Sequence, residues 1–281
     1  VKSGEETRIV AGGHLALGAV VDSTHVEQRL TIRVEGAAIL PGLPTASGES
    51  FELTHADTTV GGQLDGGGPT TLQAGGSLIL SGQRINSGGD IRLTGESVVL
   101  DGLTLENRQE ARNIGSTVVS LDAQSRHAGT VIHSAGSLEI IATGSPADAA
   151  STAGSLRGSG VQLEAGTKLT LAAEGDITLE AGRNTEDFEV RNRSGTSIVQ
   201  RSRDESVRNV LSGDAISLAG RNVTLEAASL TTPGKVNIAA RESLALTAST
   251  DLVSELTLNV TKSGGWFSKR TTPTEHTEQN L

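Results

Sequence analysis

The sequence predicts an all-β fold, a right-handed parallel β-helix of about 20 residues per coil with protruding β-hairpin insertions. Three observations lead there. First, one short phrase recurs, as in GGSLILSG, GGDIRLTG, GDITLEAG, GDAISLAG and GRNVTLEA, each with two apolar residues spaced two apart between small residues. That alternation gives a strand one apolar face, and the small residues make the corner that ends it. Second, the apolar anchors keep a period: Leu78, Ile91 and Val98 step by 13 and 7, and Ile216, Val223 and Val236 by 7 and 13. Third, the 281 residues include 35 Gly but only 1% aromatics, which suits a narrow aliphatic interior and argues against the wide core of a sandwich or α/β enzyme.

Taken along the chain, residues 1–73 read as an irregular start of the β-helix, with AGGHLALGA near Leu15 in phase. Residues 74–182 read as coils with an insertion near 107–133, and Val161, Leu169 and Ile177 mark three faces of one coil. Residues 183–211, NTEDFEVRNRSGTSIVQRSRDESVRN at their centre, alternate apolar and charged residues about a Ser-Gly-Thr turn, which is a hairpin pattern. Coils resume over 212–250. The stretch 251–281 repeats the hairpin plan, with its tip at KSGGWFSKRTT. At about 4.8 Å per coil, roughly ten coils would give a rod on the order of 50 Å long.

Composition narrows the function. The chain has no Met, as expected of an internal segment of a longer polypeptide. With no Cys it has neither disulfides nor thiolate metal sites. A net charge of −10 argues against nucleic acid as a partner. No apolar run is long enough to span a membrane as a helix.

Candidate chemistry is sparse. Asp90, Asp176 and Asp214 stand in Gly-Asp corners before strands, and Asp65 beside a Gly run. A carbohydrate-active β-helix enzyme would need such carboxylates clustered on one face, yet Asp is favoured in turns for its own backbone hydrogen bonds. His127 and His133 are six residues apart with no acid close in sequence, and read as solvated loop histidines. No catalytic residue, cofactor or metal site is assigned. The one candidate contact group is the aromatic tip. Trp266 and Phe267, bracketed by Lys262, Lys269 and Arg270, form an amphipathic knob suited to a membrane interface or an anionic partner, or one that folds back to seal the rod.

The Gly-rich array interrupted by "AGRNTEDFE" and "KSGGWFSKRTTPTEH" resembles the haemagglutinin-repeat region of filamentous haemagglutinins and contact-dependent growth inhibition exoproteins, over most of residues 74–281. These are the secreted members of two-partner secretion systems of Gram-negative bacteria. The resemblance implies a non-catalytic filament exported through an outer-membrane two-partner-secretion transporter to the cell surface, which presents an adhesive region or delivers a C-terminal toxin to a target-cell surface or outer membrane. The Asn-Pro-Asn motifs of the secretion domain and the Val-Glu-Asn-Asn motif that precedes toxins are missing, so the resemblance implies an internal or late shaft segment. Toxin delivery between bacteria, adhesion to host cells and a β-helix enzyme are the readings to weigh, and the segment is expected to be monomeric.

Overall fold

Strands of four or five residues with one apolar face bury nothing alone, so the chain winds them onto one another. The computed structural model describes residues 2–33, 47–114, 118–144, 153–192, 197–263 and 270–280. They form a parallel β-helix with three strands to a coil.

The first coil holds β1 (Lys2–Ser3), β2 (Thr7–Ala11) and the start of β3 (Leu15–Arg33), which leaves the rod and is answered by β4 (Ser47–Gly61). The second is β5 (Gln63–Gly66), β6 (Thr70–Ala74) and β7 (Leu78–Ser81); the third is β8 (Arg84–Ser87), β9 (Ile91–Gly95) and β10 (Val98–Asp101). After it β11 (Leu103–Ile114) and β12 (Val118–Ala128) form a hairpin. The fourth coil is β13 (Val131–Ser134), β14 (Leu138–Ala142) and β15 (Leu156–Ser159), and the fifth β16 (Gln162–Ala165), β17 (Lys168–Ala173) and β18 (Ile177–Glu180). The hairpin β19 (Gly182–Asn192) and β20 (Ser197–Val207) follows. Coil six is β21 (Asn209–Ser212) with β22 (Ala215–Glu226), whose two halves serve two faces, and coil seven β23 (Ala228–Thr231) with β24 (Val236–Thr247). A last hairpin is β25 (Leu252–Ser263) and β26 (Arg270–Asn280).

Register confirms the period seen in the sequence. Leu78 pairs with Val98, Ile216 with Val236 and Val223 with Leu244, each one coil on. Inward residues therefore stack in columns. Leu72, Leu93, Ile140, Leu171 and Leu218 make one, Leu78, Val98, Leu156, Ile177 and Val223 another, and all are fully buried. Each such side chain contributes roughly 1.5–3 kcal/mol of transfer free energy.

Three expectations are corrected. The described rod has seven coils, as the seven-stranded first face shows, so it is about 34 Å long; residues counted as coil are spent on hairpins. The described residues of the irregular start are themselves regular, since Leu15 already pairs with Leu78 and the polar stretch up to Arg33 is a hairpin arm. The insertion placed near 107–133 runs over Leu103–Ala128, and that placed at 183–211 over Gly182–Val207, with the rod resuming at Val131 and Asn209.

Where no hairpin interrupts, the chain must turn from one coil to the next within one or two residues. Those corners place Gly82 (φ +56°), Gly160 (φ +55°) and Ala227 (φ +46°) in the left-handed region. Glycine is the residue that takes it without strain.

Candidate interaction surface

The hairpins leave the rod after its first, third, fifth and seventh coils, always from the corner that follows the third strand. Each hairpin adds two strands, about 9.6 Å, and two coils rise by the same amount. The match lets neighbouring hairpins hydrogen-bond. β4 pairs with β11, β12 with β19 and β20 with β25, all antiparallel, so eight strands form one continuous sheet running along the rod. Residues Ser120 to Ser125 are all half-buried whatever their parity, so neither face of this sheet is covered. A sheet normally buries one face.

One face carries a repeat that the cross-strand register exposes. The outgoing strands hold Glu27 and Arg29, Glu110 and Arg112, Glu189 and Arg191; the returning strands set Leu53 beside Glu27 and Glu110, Leu121 beside Glu110 and Glu189, and Gln200 beside Glu189. Phe51 lies between Arg29 and Arg112, whose guanidinium carbons are 5.5 and 5.9 Å from its ring centre. Within each strand Glu and Arg are paired: Arg29 Nε to Glu27 at 2.6 Å, Arg112 Nε to Glu110 at 2.6 Å and Arg191 Nε to Glu189 at 3.2 Å. Aliphatic stems of the charged residues thus flank each apolar side chain, which is how one layer holds together with no second layer. Glu110 is the most enclosed, its side chain 10% exposed. Burial pushes its carboxyl up, but hydrogen bonds from Arg112 and Arg108 outweigh this and hold it below the usual range.

Buried polar groups anchor the sheet to the rod. Where the second hairpin returns, Thr130 Oγ1 donates to the carbonyls of Leu80 and Asp101; where the third returns, Asn209 Nδ2 donates to those of Glu180 and Glu226 and its Oδ1 accepts from Val161 N at 3.0 Å. His127 differs from its sequence reading as a solvated loop residue. Its Nε2 donates to the Ser159 carbonyl at 2.9 Å, and its ring fills the space left by Gly102, Gly160 and Gly182, where a Cβ would lie 2.1 to 2.7 Å from it. His133 is exposed and meets Glu164 at 3.2 Å.

The corner carboxylates do not converge. Asp90 accepts from Ser137 N and Oγ one coil on, which lowers its pKa. Asp176 takes both Nε and Nη2 of Arg221 at 2.9 Å, with Asn222 adding further bonds; the Arg221 hydrogen bond, against burial, holds it below the usual range. Asp65 accepts from Asn86 and Gln63, and the Asp214 carbonyl accepts from Thr232. Among the described residues no group of three or more His, Cys, Asp or Glu could hold a metal ion. Of the aromatic tip, Trp266, Phe267 and Lys269 lie outside the described residues, while Lys262 pairs with Thr271 and Arg270 with Ser263 near the end of the last hairpin. Sequence reasoning missed the Glu-x-Arg repeat: three residues are too short a signal, and only the register aligns them.

Residues 116–202 match the family model described as hemagglutinin repeat, so this part of the chain is a haemagglutinin-repeat region of the two-partner-secretion exoprotein type. The matched span begins between β11 and β12, ends within β20 and encloses two coils, the unit in which rod and sheet repeat together. No curated protein and no solved structure matches the chain.

Proposed function

We propose that this chain is a shaft segment of a filamentous haemagglutinin-like secreted protein at the surface of a Gram-negative bacterium, non-catalytic, which presents or delivers a C-terminal toxin to neighbouring bacteria in contact-dependent growth inhibition. One observation carries the reading: hairpins from alternate coils join into a continuous sheet that the rod's own core does not need. Such a sheet is a display surface. The separately tied corner carboxylates of Asp65, Asp90 and Asp176 support a role without catalysis, because general acid and base groups must face one substrate. The outer-membrane transporter and the target-cell envelope are the partners this role requires.

Binding of the purified segment to whole Gram-negative cells and to mammalian epithelial cells tests the proposal, beside a Trp266→Ala/Phe267→Ala version. Binding to bacteria that weakens in the double variant is the expected result and makes the knob a contact. Binding to epithelial cells alone replaces toxin delivery with host adhesion, and saturable cleavage of a glycan would overturn the non-catalytic reading.

A further inference from the structure

The Glu and Arg rows of the hairpin sheet are self-complementary. Arg29, Arg112 and Arg191 lie two residues beyond Glu27, Glu110 and Glu189 on outgoing strands, so the Arg row is nearer the hairpin turns by about 7 Å. Along the rod each row repeats every second strand, about 9.6 Å. A two-fold axis parallel to the rod, halfway between the rows, reverses the strand direction and leaves height along the rod unchanged. It sets each Glu of one copy opposite the Arg at the same level of the other. All three levels match at once.

From these relations we propose that two copies of this segment associate side by side, face to face through the Glu/Arg face of the hairpin sheet. The apolar residues of that face, Phe51, Leu53, Leu121, Ile198, Leu256 and Leu258, are half-buried and lie in the two charged rows, so Phe51 meets Leu53 and Leu256 meets Leu258 across the interface, while Ile198 faces Gln200. Reversal of the strands puts the two rods on opposite sides of the paired sheets, clear of one another. Eight strands spaced about 4.8 Å and an overlap of about 30 Å give a footprint that buries on the order of 2,000 Å² in total, enough for a specific dimer. The opposite face lacks this symmetry. There Asp122, Arg201 and Glu255 share one row with Val26 and Phe188 but lie on three different strands, so an axis parallel to the rod, which keeps height, never sets these acids onto that base. Because each Glu already has an Arg in its own strand, the interface exchanges partners instead of stranding charges, and its strength falls with salt.

Sedimentation of the unmodified chain over a concentration series, at low and high ionic strength, tests this first. The mass doubles with concentration at low salt and returns to that of one chain at high salt. Two variants then locate the face: Glu27→Arg/Glu189→Arg and Arg29→Glu/Arg191→Glu each stay single, while their equimolar mixture pairs. Thermal melts by circular dichroism establish that both fold. Since the chain contains no Cys, a Gln200→Cys chain mixed with an Ile198→Cys chain gives a second reading, in which a short bismaleimide links the mixture faster than either alone. A chain that stays single throughout, pairing that persists in both charge variants, or a mixture that stays single overturns the proposal.

Discussion

Val161 fills a notch that Gly158 leaves in the inner column between Leu100 and Leu179: a Cβ on Gly158 would lie 2.9 Å from Val161 Cγ1 and 3.0 Å from Leu179 Cδ2. A strand residue and a corner residue thus share one core position. Val161→Ala is expected to cost about 2 kcal/mol through the cavity it opens, and Gly158→Ala roughly 1–2 kcal/mol through overpacking. Combined, they are expected to cost less than their sum by about 1 kcal/mol, because the methyl added at 158 enters the space vacated at 161. Denaturant unfolding of the three variants checks this.

Ala227 is the one described non-glycine residue with positive φ, at a corner where the equivalent turns use Gly82 and Gly160. Ala227→Gly is expected to stabilise by about 0.5 kcal/mol, the relief of strain exceeding the added freedom of the unfolded chain. Gly160→Ala is expected to destabilise by roughly 2 kcal/mol, since it adds the same strain and its Cβ would lie 2.7 Å from the His127 ring. Melting temperatures of the two variants should move in opposite directions.

Acid should loosen the rod at the Asp176–Arg221 pair. The folded-state pKa of Asp176 is lowered from 3.8 by the Arg221 hydrogen bond, so the unfolded chain binds protons more readily. The stability it contributes is therefore present above the unfolded value and is lost as pH falls through the lower folded one. Asp90, Asp65, Asp57, Asp251 and Glu110 are lowered too and act in the same sense. Melts from about pH 7 down to about pH 3 should show a fall beginning near pH 4, and Asp176→Asn should be less stable at neutral pH with a shallower fall.

Leu225 is 1% exposed in the inner stack beneath Leu246, whereas Arg203 is exposed on the hairpin sheet. Leu225→Asp buries an unpaired carboxylate and is expected to cost several kcal/mol. Arg203→Ala should change stability by less than about 1 kcal/mol, as exposed ion pairs do. A chain that melts unchanged with Leu225→Asp would refute the register.

Much of this was legible because it is local. The pairing of Leu78 with Val98 could be read from spacing alone, since coils joined by plain corners keep a constant length. Alternation of apolar and charged residues about Phe188 and Ile198 marked a hairpin for the same reason: the pattern depends only on neighbours within each strand. The pairing of Ile91 with Leu138 was out of reach, because a hairpin lies between them and its residues have no phase relation to the coil.

The sequence by itself determined the strand phrases, the coil period and the all-β class, since each depends on side chains two residues apart or on corners that need small residues. Only the tertiary structure decided that the hairpins are one sheet. That follows from a distance no residue encodes alone, the equality of a two-strand hairpin and a two-coil rise, and it is this equality that brings Glu27, Glu110 and Glu189 into one row.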